Sequence, residues 1–326
     1  MRDPNMDPEA FIHSKLAEQE EKLGLEVLFA VERSSRLWGT DHKGSDWDVH
    51  FVYRHPLRRY CAVNKPNPIV KQDYGPRGDS KDKASELDVQ LVGMEFSHFA
   101  GLIAASDPTI FDVVFSTIVY RDHPILEELR ESASAYFDWK QLACHYCSWG
   151  SRHLHLLTIK NPKAKIRKKE AKMFAFTLRG LLSCEWLVES KGAGLSELPL
   201  RVDTLISTRI KDRQQRQAAE KLVERLRNGV TGPFESVTDT EHKQRLYQLC
   251  CSIATRVRGR VVAEKVGKPY SPENRIIDKL EPLENTSAER TRRLDDLCYK
   301  AITWNSSPDN EAKMTTCQHG VACAVS

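Results

Sequence analysis

The sequence predicts an α+β protein, with an α/β half carrying a mixed sheet over residues 1–124, an all-helical domain over 125–305 and a disordered tail over 306–326. Three observations carry this expectation. Between residues 25 and 92, short β-rich runs alternate apolar and polar side chains, the period of strands with one buried face. After His123-Pro124 that signal fades and apolar residues recur at helical spacing. The final stretch, NSSPDNEAKMTTCQHGVACAVS, is small and polar, with too little apolar surface to order itself.

Residues 9–24 read as an amphipathic helix, with Phe11, Leu16 and Leu23 among acids and lysines and Gly24 to end it. LEVLFAV (25–31) is a short buried strand. In the run 47–53, Trp47, Val49, Phe51 and Tyr53 point one way, while Asp46, Asp48 and His50 point the other. Residues 54–84 are rich in Pro, Gly, Asn and charge and read as a long loop. The run 86–92 is the next strand, turning Leu87, Val89 and Leu91 to the core and Glu86, Asp88 and Gln90 to the opposite face. A helix follows over 97–105, Asp107-Pro108 opens another, and TIVY (117–120) is a short closing strand. Helical patterns then occupy 125–158, 164–190, 210–228, 240–264 and 285–304.

The formal net charge of the 326 residues is only +4, so attraction for nucleic acid has to come from local basic patches. No apolar run approaches the roughly 18 residues that span a bilayer, and the N-terminal stretch resembles neither a secretory signal nor a transit peptide. Nine cysteines without such a signal suit reduced thiols and a cytoplasmic or nuclear location. Cys144 and Cys147 form a C-x-x-C, but no second pair follows at zinc-site spacing, so buried thiols explain them better than a metal.

Asp46 and Asp48 stand two apart on one strand, so both carboxylates leave the same face, about 6.6 Å apart along the chain. A neighbouring strand carrying Asp88 with the same parity adds a third. Such hard oxygen ligands suit Mg²⁺ or Mn²⁺, and paired ions of that kind serve in-line nucleotidyl transfer. A lone D-x-D at a strand start more often marks a turn; the later strand acid and the upstream serines make the combination more specific. Ser34, Ser35 and Arg36 follow a strand and open a short helical stretch, where hydroxyls and free N–H groups can hold nucleotide phosphates. Ser35 is the preferred phosphate ligand, and Arg36 either supports the loop or adds charge.

These residues resemble the nucleotidyltransferase superfamily that includes DNA polymerase β, and most closely the nucleotidyltransferases associated with RNA ligases. That pattern reads approximately V-E-S-G-S-R-A-W-G, then S-D-Y-D-V-R-F-I-Y, then L-D-I. The corresponding stretches here are VERSSRLWG (31–39), SDWDVHFVY (45–53) and LDV (87–89). The likeness continues through STIVYR (116–121), His145-Tyr146 and the helix KMFAFTLRGLLSCEW (172–186), covering roughly residues 20–200. It implies a polymerase β-like catalytic domain, with Asp46, Asp48 and Asp88 as metal carboxylates and Ser35 in the triphosphate loop. It further implies that Lys172 and Arg179 face the nucleotide across a cleft, and their spacing of two helical turns puts both on one helix face. Two departures stand out: Ser34 replaces the loop glycine, which permits positive φ and close approach of backbone to phosphate, and His50 replaces an arginine.

The basic run from Lys160 to Lys172 suits a nucleic-acid backbone or a triphosphate, and equally a solvated helix start. Arg54, Arg58, Arg59, Lys65, Lys71 and Arg77 decorate the long loop, where solubilising charge explains them almost as well as an acceptor strand. Tyr60 and Tyr74 fit base stacking or, more commonly, loop anchoring. The terminal CAVS fits farnesylation at Cys323 in a prenylating cell, with peripheral membrane association as the consequence, and carries no meaning in a bacterium. The expected activity is transfer of a nucleoside monophosphate from an NTP such as ATP to an acceptor hydroxyl, with an RNA end the acceptor the resemblance suggests. The competing expectation, raised by Ser34, is a catalytically silent nucleic-acid-binding or scaffold protein that keeps the fold.

Overall fold

The structure is a computed structural model that describes residues 7–63, 67–76, 87–157, 169–234, 236–266 and 288–303. Five strands form one sheet: β1 (Glu26–Arg33), β2 (Trp47–Arg54), β3 (Ile69–Tyr74), β4 (Val89–Glu95) and β5 (Val119–Arg121). Their order is β3-β4-β2-β1-β5. The β2–β4 pair is parallel and the other pairs antiparallel, which makes the sheet mixed.

Alternation along the strands gives the sheet two different faces. One buries Val27, Ala30, Val49, Phe51, Tyr53, Val89 and Leu91 under Ile12 and Leu16 of the Pro8–Leu23 helix. The other presents Phe29, Val31, Val52 and Met94 to the helical remainder in one continuous apolar cluster. That cluster runs on through Phe99, Phe111, Tyr146, Leu178 and Leu222 without a break near residue 124. Asp46, Asp48 and His50 share the parity of Val52, so they lie on the face turned toward the helices.

The helices start where their caps dictate. Asp7 accepts the Glu9 N–H at 3.2 Å ahead of Pro8, and Asp107 accepts the Thr109 N–H at 2.7 Å ahead of Pro108, pairing an acidic N-cap with proline in the first turn. At the centre of the helical part, Trp139–Leu156 packs on Glu170–Ser190. A Cβ on Gly180 would sit 3.1 Å from the Gly150 nitrogen and the Tyr146 carbonyl, so glycine is what lets these two backbones touch. Around them lie Val202–Arg209, Arg213–Arg227 and Val237–Val266. The Ala288–Thr303 helix reaches back to the sheet, where Arg54 donates to the Ile302 carbonyl at 2.9 Å and pairs with Glu26 at 2.7 Å.

Three expectations change. The long loop contains a helical turn, Leu57–Tyr60, and the edge strand β3. Its apolar residues Ile69, Val70 and Tyr74 are interrupted by Lys71 and Asp73, which hides the strand in the sequence. Second, β4 starts at Val89 rather than Glu86 and runs on to Glu95, which places Asp88 just outside the strand. Third, the region 125–158 is three helices, broken at Ser132 and again before Asp138, which caps Trp139–Leu156. Cys144 and Cys147 are buried free thiols. Lys65, Arg77, the basic run over 160–168 and the tail with Cys323 lie outside the described residues.

Candidate active site

The site is built where β1 ends and β2 begins. At the end of β1 the chain turns through Ser34, whose φ of 66° and ψ of −134° place a non-glycine residue in glycine territory. One helical turn follows, Ser35–Trp38, held by the Trp38 N–H on the Ser34 carbonyl at 2.9 Å. Gly39 ends it with φ of 70°, and the Arg201 guanidinium occupies the space a Cβ would need. Arg227 donates to the Gly39 carbonyl at 2.9 Å and pairs with Asp203 at 2.6 Å. The loop is therefore gripped by the helical part of the molecule.

Beneath it, Glu32 is fully buried on the other face of β1. Its Oε1 accepts the Asp48 backbone N–H at 3.0 Å and its Oε2 accepts the Tyr120 hydroxyl at 2.5 Å. Burial raises the Glu32 carboxyl from 4.5 to about 7. This residue ties β5, β1 and β2 together at the level of the acidic pair.

A cleft of about 130 Å³ opens above that level. Ser34, Ser35, Asp46 and Asp48 line it from the strand side, and Lys172, Ala175 and Phe176 line it from Glu170–Ser190. Trp38, Thr40 and Leu226 complete its wall. Burial pushes the Asp48 carboxyl above its usual range and neighbouring Asp46 adds to the push, while Ser34, Arg33 and Lys172 pull it down. His50, next on the same face, is held neutral by burial, with its pKa pushed down to about 3.

The expected residues thus divide. Ser34, Ser35, Asp46, Asp48 and Lys172 meet in the cleft. Asp88 stands at the mouth of β4, its carbonyl accepting the Trp47 N–H at 2.8 Å, and it does not line the cleft. Among the described residues no three His, Cys, Asp or Glu side chains gather at metal-binding spacing, so the acids in the cleft are a pair.

Arg36 turns away to brace the loop: it stacks on the Trp47 ring at 3.6 Å and donates to the Ser45 carbonyl at 2.8 Å. Arg179, expected to face the nucleotide, is instead fully buried and paired with Asp112 at 2.5 Å. Its guanidinium lies 4.6 Å from the centre of the Trp38 ring, and Asp112 also accepts the Trp38 indole N–H at 3.0 Å. The reason is packing: a helix face two turns long passes from the cleft into the core. Tyr60 and Tyr74 serve as anchors, Tyr60 donating to Glu95 at 2.7 Å and Tyr74 accepting from Gln19 at 2.8 Å.

Trp38, Thr40, Ala175, Phe176 and Leu226 also line the cleft and were not expected there from the sequence. Phe176 follows Lys172 by one helical turn and was open to detection by that spacing. Leu226 comes from a distant helix and carried no local signal.

The donors in the cleft, two carboxylates and two serine hydroxyls, are hard oxygens and fit Mg²⁺ or Mn²⁺. The mutual repulsion that helps raise the Asp48 carboxyl is what a bound cation relieves.

Residues 9–248 match the RNA repair pathway DNA polymerase beta family. The chain belongs to this family. It is also similar, at 25% identity over 233 residues, to the uncharacterized protein YcgL of Bacillus subtilis (strain 168), across 71% of this chain and 82% of the relative. The family is one of polymerase β-like nucleotidyltransferases associated with RNA repair. The matched span holds every residue that lines the cleft, whereas Ala288–Thr303 lies beyond it. Among the described residues no helix is long and apolar enough to cross a membrane.

Proposed function

We propose that this protein is a metal-dependent nucleotidyltransferase that moves a nucleoside monophosphate from an NTP to an acceptor hydroxyl, with release of pyrophosphate. The observation that carries the reading is the cleft itself, in which Asp46 and Asp48 face Lys172 across a serine-lined loop. Family membership supports the reaction class, and its association with RNA repair supports an RNA end as acceptor.

Asp46 and Asp48 would hold Mg²⁺ or Mn²⁺, which when bound neutralises phosphate charge and polarises the bond that breaks. Ser35 and the N–H groups of its turn bind the phosphates, and Lys172 supplies a positive charge from the opposite wall. Trp38 and Phe176 give that wall an apolar surface suited to a sugar or base. About 130 Å³ is small beside the roughly 300–1,000 Å³ of whole ligand pockets, so the enclosed part takes phosphates and ions while the rest of the nucleotide lies at the open mouth. Asp88, at the neighbouring strand end, is the group assigned to receive the acceptor's proton.

Incubating the full chain with each α-labelled NTP, Mg²⁺ or Mn²⁺, and RNA, DNA or small-molecule acceptors tests this reading. Label transfer that disappears in Asp46→Asn and Asp48→Asn supports it. Absence of transfer to any acceptor, with RNA binding indifferent to both substitutions, supports the silent scaffold, the alternative that the strained Ser34 keeps open.

A further inference from the structure

Asp48 has two neighbours supplied by the chain itself. Arg33 pairs with Asp48 in the register of β1 and β2, and side chains opposite one another on adjacent strands project to the same face about 5 Å apart. The Arg33 side chain is held from behind, donating to the Thr109 hydroxyl at 3.3 Å, and its buried Nε has no hydrogen-bond partner. Asp107 and Asp112 attract it, while Arg179 repels it. Ser34 is the second: it lines the cleft beside Asp48, and its hydroxyl favours the ionised form of that carboxylate. Its backbone stands at φ of 66°, a conformation that a side chain adopts only under strain.

We infer that Arg33 and Ser34 form a built-in counter-ion and donor for Asp48, which competes with a divalent cation for that carboxylate and weakens metal binding in the cleft. A fixed guanidinium repels a divalent ion arriving beside it. The serine hydroxyl takes up lone-pair capacity on the same carboxylate. The Asp48 carboxylate is thereby already engaged before a metal arrives, and the metal is held less tightly. This rests on the metal-site reading above.

The test is titration of Mn²⁺ alone, without nucleotide, into the full chain by calorimetry, with melting curves to establish that each variant folds. Asp48→Asn must lose the binding, which ties the signal to this site. Ser34→Gly and Arg33→Gln are each expected to bind Mn²⁺ about tenfold more tightly than the wild type, and Arg33→Lys, which keeps the charge, to stay within about twofold. Tighter binding in both folded variants supports the inference. Unchanged or weaker binding in either folded variant overturns it, and if Arg33→Gln does not fold, Ser34→Gly alone decides. Absence of Mn²⁺ binding in every protein, wild type included, overturns the metal reading as well, whereas intact binding with equal affinities overturns only the role given to Arg33 and Ser34.

Discussion

Lys172 and Arg179 stand two turns apart on Glu170–Ser190, yet one belongs to the cleft and the other to the core. Lys172 opens onto Asp46 and Asp48, where it is only partly buried. Arg179 is sealed beneath Trp38, its charge met by Asp112. The pair teaches that one helix can supply both a cation that lines the cleft and the fixture that holds the opposite wall. Through Asp112, Arg179 secures the indole of Trp38, and Trp38 closes the turn that begins with Ser35. The two regions should therefore separate cleanly under mutation.

The largest expected effect is in the core. Arg179→Met leaves the Asp112 carboxylate buried without its cation, which costs about 3–5 kcal/mol, read by denaturant unfolding. A loss below about 1 kcal/mol would mean that Asp112 finds another partner and that Arg179 is not the fixture described.

Next comes Glu32. Its carboxyl is raised from 4.5 to about 7 in the folded chain, so the native state holds this proton more tightly than the unfolded one. The stability this contributes is complete below pH 4.5 and is lost as pH rises through about 7. Glu32→Gln cannot titrate, and its stability should gain on that of the wild type by about 3 kcal/mol between pH 4 and pH 8. Parallel stability curves for the two proteins would contradict the assignment.

A smaller effect separates two substitutions at Ser34. Both Ser34→Ala and Ser34→Gly lose the hydroxyl, but only glycine accepts φ of 66° without strain. Ser34→Gly should be more stable than Ser34→Ala by about 1–2 kcal/mol; equal melting temperatures would place the strain elsewhere.

Much of this was legible in the sequence because it depends on local periodicity. Parity along 46–52 put Asp46, Asp48 and His50 on one face of β2, and β2 delivers them to the side facing the helices. Ser34 stands in place of a glycine that permits positive φ, and it does adopt a positive φ. What escaped was decided by tertiary register. The parallel pairing aligns Trp47 with Val89, so Asp88 falls just before β4 rather than within it. Arg179 satisfied the same spacing rule as Lys172, but spacing states which face a residue shares and not where along that face the core begins. Arg33 became visible as a partner of Asp48 only once β1 and β2 were aligned.

At the smallest end of the stability scale, Lys172→Met should shift unfolding by less than about 0.5 kcal/mol, the range of a surface change. That near-silence makes Lys172 the sharpest probe of function. The decisive measurement is equilibrium binding of a fluorescent ATP analogue, with Mn²⁺ present, to the wild type and to Lys172→Met at matched folded fractions. Loss of the lysine's charge from the cleft should weaken binding at least about tenfold. Undiminished binding in Lys172→Met would show that the nucleotide is not held between Asp46, Asp48 and this helix, and would contradict the assignment of the cleft as the nucleotidyl-transfer site.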